Sequence, residues 1–403
     1  MASPQAVRRA VIVGGSLGGL ITAHLLKRAG WQVQVNERVA EDISSRGAGL
    51  ATHPELVAAF RQAGLHIDER LGVAVSHRSF VDAGGVERVG CTIPQVLTSW
   101  NRLFAMLREP LAAGEYLKGR RFVDAQPTGS DGIAVRFADG SMEHADLLIG
   151  ADGLRSSVRA LCDAQSRPEY AGYVAWRGRL PAEALRGTPA QELLGPFTIA
   201  MRAGEQFIGY PVPAADGEEG VDYNWLWYRP APESGTLREL CTDAAGTVHD
   251  GGIPPPLIRP AVLDQLRTDA VRTWAPSLAE AVARTPAPFF QPIFDMRSQR
   301  LVAERIALIG DAAFVARPHC GMGVTKAAGD AVALVRALAE YPQDLGAALA
   351  AYDDERVRIG RFLVDHAAYL GSLLARGPAD GSPPPEVMHE VLTKTAVPPP
   401  LTT

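Results

Sequence analysis

Residues 11–20 read VIVGGSLGGL. The run through Val13 is short, apolar and rich in β-branched residues, and it ends in glycine, the pattern of a strand buried on both faces. The following LGGLITAHLLKRAG places Leu20, Ile21, His24, Leu25 and Ala29 at helical spacing and stops at Gly30. QVQVNER predicts a second strand that ends in Glu37. Strand, glycine turn, helix, strand and acid form the order of a βαβ nucleotide-binding unit. Gly14 permits the tight turn and Gly19 the close packing of helix on sheet. The helix start at Leu17 turns free N–H groups and positive dipole toward a pyrophosphate. Glu37, with Arg38 beside it, stands where an acid accepts hydrogen bonds from ribose hydroxyls. Ser16 replaces the fingerprint's second glycine; it is small, and its hydroxyl can donate to phosphate. By itself this motif does not separate NAD from FAD.

The chain has 403 residues, enough for two domains or one large composite fold. Its 40 basic and 45 acidic residues give a net charge of -5, which argues against nucleic acid or an anionic membrane as partner. Cys91, Cys162, Cys241 and Cys320 are scattered, without C-x-x-C or metal-ligand spacing. Free thiols in a reducing compartment follow. The N-terminus runs straight into a strand, and no apolar run reaches membrane-spanning length. The expectation is a cytoplasmic protein with no membrane partner and no metal.

Two further stretches choose the nucleotide. Residues 146–159 read DLLIGADGLRSSVR and residues 305–323 read RIALIGDAAFVARPHCGMG. Each is a strand, a glycine and an aspartate at the strand's C-terminal end, where open α/β sheets bind ligands. A plain NAD dehydrogenase needs neither. The three motifs, in this order between residue 10 and about residue 330, resemble those of the FAD-dependent aromatic hydroxylases (class A flavoprotein monooxygenases), the group of p-hydroxybenzoate and salicylate hydroxylases. HPELV (53–57), YAGYVAWRG (170–178), YPVP (210–213), NWLWY (224–228) and ARPHCGMGVTKAAGDA (316–331) are similar to the branch that hydroxylates 2,6-dihydroxypyridine.

The resemblance implies an α/β fold: an FAD-binding Rossmann-like βαβ domain, an interleaved β-rich substrate domain and C-terminal helices. The expected FAD-binding domain covers residues 1–74, 98–165 and 297–375, and the substrate domain 75–97 and 166–296. Residues 376–403 read as a loosely held proline-rich tail. The implied activity is hydroxylation of an electron-rich, hydroxylated aromatic or N-heteroaromatic ring with FAD, O2 and transient NADH or NADPH, through a flavin C4a-hydroperoxide. By resemblance Asp152 lies by the pyrophosphate and Asp311 on the ribityl chain. Arg102 contacts the FAD phosphates, and Gly321, Met322 and Gly323 bring N–H groups to the flavin pyrimidine; Arg46, at the head of the loop RGAGLAT, is read from its place as a contact to FAD or, in the alternative, to a negatively charged substrate. Pro318 lines the substrate cavity.

Among substrate candidates, His319 has the ordinary pKa, about 6.5, of a proton acceptor for a ring hydroxyl. A merely structural histidine is the equal alternative. Tyr210 either hydrogen-bonds the substrate or packs in the core, and His53 is a lesser substrate candidate. Trp225 and Trp227 read as core. Alternatives kept open are a flavin hydroxylase of purines, quinolones or polyketides, and a non-catalytic FAD-fold protein that binds a protein partner. A homodimer is one assembly left open.

Overall fold

The computed structural model describes residues 7–41, 48–129, 132–202, 204–214, 220–376 and 383–399. Its first layer is a six-stranded sheet in the order Val302–Ala303, Ile306–Leu308, Leu147–Gly150, Arg9–Val13, Gln32–Asn36, Tyr116–Leu117. All neighbours are parallel except the edge pair Val302–Ala303 with Ile306–Leu308. Val11, Ile12, Leu148 and Ile149 are fully buried, in one core with helix Leu17–Arg28 and with a three-stranded antiparallel sheet formed by Phe122–Pro127, Ile133–Phe137 and Met142–Ala145. Helix Leu17–Arg28 packs on helix Gly323–Glu340, which packs in turn on helix Leu345–Ser372.

The second layer is a nine-stranded sheet in the order Phe314–Val315, Phe289–Arg297, Glu169–Pro181, Val221–Pro230, Glu205–Pro213, Phe197–Arg202, Val73–Val81, Glu87–Ser99, Gly49–Ala51. Strand alternation sorts its side chains into two cores. Trp176, Trp225 and Trp227 face helices Pro260–Thr273 and Pro276–Arg284. Tyr210, Leu226 and Tyr228 face the opposite way, where Cys320 and Met322 of the RPHCGMG segment join them. The tryptophans are therefore core, as expected. Among the described residues no helix is long and apolar enough to cross a membrane.

The proline-rich end departs from expectation. Pro385 opens helix Pro385–Lys394, since proline suits a first helical turn. Val387, Met388, Val391 and Leu392 are buried against the second sheet. Arg78, 1% exposed, donates from Nη1 to Leu392 O at 3.1 Å and Thr395 O at 2.6 Å, and from Nη2 to Gln95 Oε1 at 2.7 Å. The described part of the tail is thus structural: its apolar side chains close a core and its carbonyls satisfy a buried guanidinium. Ending the chain before Pro385 removes about 6–12 kcal/mol of apolar burial. A fall in Tm on the order of 10 °C is expected in a thermal melt.

Candidate flavin and substrate site

Parallel pairing brings the three turns out of the sheet side by side. Asn36 O accepts from Gly14 N at 2.9 Å, Val13 O from Ala151 N at 2.8 Å, and Gly150 O from Ile309 N at 2.9 Å. Gly14 has φ +112°, and a Cβ there would lie 2.2 Å from Ala151 O. A Cβ on Gly19 would lie 2.0 Å from Gly14 O, so only hydrogen lets the helix sit directly on the turn. Ser16 has φ -87° and ψ -175°, an extended conformation open to any side chain, so the absent second glycine strains nothing. The Ser16 side chain makes no cap within its own helix, and the half-buried hydroxyl is left for a ligand. Leu17 opens that helix, with no acid in the first turn to compete with a phosphate. Glu37 Oε2 accepts from Gly15 N and Oε1 from Val39 N, each at 2.9 Å, so this carboxylate also holds the glycine turn in shape. Arg38 is exposed beside it.

Asp152 accepts from Ser156 Oγ at 2.5 Å, Ser157 N at 2.7 Å and Val158 N at 3.2 Å, and so closes its own turn. Asp311 keeps its side chain 53% exposed, beside buried Ala312 and Gly310. Burial pushes its carboxyl above the usual range, Lys326 pulls it down and Asp330 pushes it up again. Ser99 Oγ caps helix Trp100–Arg108 by accepting from Arg102 N at 3.2 Å. Arg102 Nε and Asn101 Oδ1 are buried and make no hydrogen bond among the described residues. Pro318, Gly321 and Gly323 keep exposed surface, whereas His319, Cys320 and Met322 are buried. Gly323 begins the longer helix, and a Cβ there would meet nothing within 4 Å. A donor-rich helix start, a guanidinium N–H without a partner among the described residues and the half-exposed Asp311 carboxylate fit a pyrophosphate-bridged dinucleotide. Arg46 lies outside the described residues.

His319 does not fit the role of base. His319 is 1% exposed and its ring is enclosed by those of Tyr173 and Tyr228. Nε2 pairs with Tyr173 OH at 2.8 Å, and the ring lies 4.1 Å from the Tyr228 centroid. Burial, with Arg317 nearby, lowers its pKa to about 3, so it stays neutral at working pH. Replacement of His319 by Gln should leave the acid limb of the kcat/KM–pH profile in place. A true base would cost about 10²–10⁴-fold and take that limb with it. His53 is likewise 2% exposed, with Nδ1 bonded to Thr325 Oγ1 at 2.8 Å and Nε2 to Ala396 O at 3.1 Å. It ties the helix start to the tail and is not placed to touch substrate.

Tyr210 sits on the sheet face that receives the RPHCGMG segment and stacks on Phe197 at 5.1 Å. Burial pushes its hydroxyl up to about 12, against the pull of Arg177 and of a hydrogen bond from the Asn224 side chain. Arg177 shares this face with Tyr173 and Ala175, two and four residues back on the strand. Its Nε is buried and has no hydrogen-bond partner among the described residues; Asn224, whose Oδ1 accepts from Gly49 N at 2.7 Å, lies opposite Tyr210 on the neighbouring strand. Three polar side chains therefore collect on an otherwise apolar face.

An FAD binding domain family matches residues 8–178 and 269–367, and an FAD binding domain-like family matches residues 170–295. The chain is 31% identical to 2,6-dihydroxypyridine 3-monooxygenase of Paenarthrobacter nicotinovorans over 92% of each chain. The chain belongs to the FAD-dependent aromatic hydroxylases. The solved 2,6-dihydroxypyridine-3-hydroxylase of Arthrobacter nicotinovorans superposes with a TM-score of 0.86 at 29% identity, covering 93% of this chain and 95% of that one. Klebsiella pneumoniae HpxO, solved with FAD and uric acid, has a TM-score of 0.76 at 25% identity, covering 97% and 94%. The chain is an FAD-dependent aromatic-ring monooxygenase of the class that uses NAD(P)H and O2.

Sequence reading of this hydroxylase missed Arg177, Asn224 and Lys326. Arg177 and Asn224 lie inside AWRG and NWLWY, stretches whose pattern is dominated by aromatics. A charge on a strand between buried Trp176 and Gly178 was the available signal. Lys326, between apolar helix positions, carried the same signal.

Proposed function

We propose that this hydroxylase acts on a small N-heteroaromatic ring bearing an acidic hydroxyl, with Arg177 as the group that receives the ring in its anionic form. Arg177 Nε, on the apolar face beside Tyr210 and Asn224 and without a partner among the described residues, carries the reading. A guanidinium in a site of low dielectric stabilises an oxyanion and lowers the pKa of the hydroxyl that gives rise to it. An ionised ring is richer in electrons and attacks electrophilic oxygen more readily. The apolar neighbours Leu226 and Ile208 exclude water from the ring. Relatives named for hydroxypyridine, hydroxynicotinate and urate chemistry support the substrate class.

When bound, FAD supplies hydride acceptance from NAD(P)H and the activation of O2. Around it, the Leu17 helix start with Ser16, and Arg102, hold the pyrophosphate; Glu37 with Arg38 holds the adenosine ribose; Asp311 accepts from the ribityl hydroxyls. Asp152 shapes the turn that abuts Gly14. Pro318, Gly321 and Gly323 wall the chamber, with Met322 and His319 behind them. The reading extends to a cytoplasmic enzyme, in keeping with its free thiols, and to a homodimer, which light scattering tests.

The deciding experiment follows NADH and NADPH oxidation by the flavoprotein with 2,6-dihydroxypyridine, hydroxynicotinates, hydroxybenzoates and urate, with products identified by mass. A hydroxypyridine or hydroxynicotinate should gain one oxygen atom. Hydroxylation confined to benzoates, or hydrogen peroxide as the sole product throughout, overturns the proposal.

A further inference from the structure

Lys326 lies in helix Gly323–Glu340 with its side chain 1% exposed. Its Nζ donates to Gly310 O at 2.6 Å. One turn further on, Asp330 Oδ2 accepts from Gly310 N at 2.9 Å. Two side chains four residues apart on one helix face thus grip both polar groups of a single residue. That residue immediately precedes Asp311 and has φ +60°, a conformation that favours glycine.

The charges are unevenly shared. Arg356, from helix Leu345–Ser372, places Nε and Nη2 each 2.7 Å from Asp330 Oδ1. Asp330 therefore has its own cation. Lys326 Nζ stands 3.8 Å from Asp330 Oδ2 and 4.0 Å from Asp311 Oδ1. A buried ammonium is costly unless an anion balances it. Asp311 is the carboxylate left for that task, and it is also the member of the cluster whose side chain stays exposed.

We propose that Lys326 is the positioning residue for Asp311, holding its carboxylate ionised at the place where the polyol hydroxyls of FAD meet it. The inference rests on the reading that Asp311 contacts the ribityl chain. Lys326 makes no contact with the flavin in this account; it sets flavin affinity through the aspartate.

The test is a double-mutant cycle on the dissociation constant of FAD, read by fluorescence on apoprotein for wild type, Lys326→Met, Asp311→Asn and the double variant. Each single change should weaken FAD about tenfold or more, as loss of a charge-assisted contact does. The double variant should be about as weak as the weaker single one. An equal fold-loss from Lys326→Met in both backgrounds overturns the positioning role, because a merely structural lysine costs the same with or without Asp311. An Asp311→Asn variant that binds FAD like wild type overturns the ribityl reading instead. Lys326→Gln keeps a donor toward Gly310 O and drops the charge. It should lose affinity nearly as far as Lys326→Met, and full retention overturns the inference. If Lys326→Met does not fold in a thermal melt, the Lys326→Gln and Asp311→Asn cycle decides by the same criterion.

Discussion

Gly14→Ala is expected to give a colourless protein. The new Cβ would lie 2.2 Å from Ala151 O, 2.4 Å from Ala151 C and 2.8 Å from Asp152 N, all of them backbone atoms. No rotamer change relieves such a clash. The native φ of +112° is also closed to a residue with a side chain. The glycine turn and the GADG turn must then separate, and the two are joined directly by Val13 O and Ala151 N. Affinity for FAD should fall by more than about 100-fold, the equivalent of roughly 3 kcal/mol. Absorbance of the purified protein near the flavin bands measures this, before and after soaking in excess FAD. A yellow Gly14→Ala protein of normal Tm would mean that the turns do not form a single nucleotide site.

Arg177→Met should leave the flavin in place and remove most of the activity. Methionine preserves much of the stem and takes away the charge and its donors. The loss in kcat/KM should be about 10²–10³-fold, the scale for a preorganised group aimed at developing or fixed negative charge. The pH dependence gives a sharper reading. With Arg177 present, the ring hydroxyl ionises below its solution pKa, and activity holds toward lower pH. Without it, the ring must ionise unaided, so residual activity should climb as pH rises. A variant with unchanged kcat/KM, or one whose loss is the same at every pH, would remove Arg177 from the oxyanion role. FAD affinity is the control, since Arg177 belongs to the second sheet and not to the three nucleotide turns.

The two residues illustrate different kinds of legibility. Gly14, Gly19, Asp152 and Asp311 announce themselves because a turn out of a parallel strand has few chemical solutions. Each solution is local, spanning a handful of residues whose order on the chain is their order in space. The same locality made helix Leu17–Arg28 and the stop at Gly30 readable. Arg177 belongs to a surface assembled from strands distant in sequence: it pairs with Leu226 on one side and Phe289 on the other. Which of its neighbours are polar is set by sheet register, and register leaves no mark in any short window.

His319, His53 and the tail show the same division from the other side. A histidine between Pro318 and Cys320, taken alone, reads equally as a proton acceptor or as a structural residue. Its fate is decided by Tyr173 and Tyr228, contributed by two strands of another sheet. His53 is held by Thr325 and Ala396. The tail looked loose because prolines crowd it; Arg78 and a sheet face far away in sequence give its helix something to bury against.

Sequence alone therefore determined the nucleotide unit, the order of its three turns and the membership in a flavin-dependent family, because strand, glycine and acid must be neighbours in the chain to be neighbours in space. Only the tertiary structure decided which side chains face the cleft. Burial and pairing are properties of surfaces that meet across hundreds of residues, and a side chain's chemistry follows from what lies opposite it.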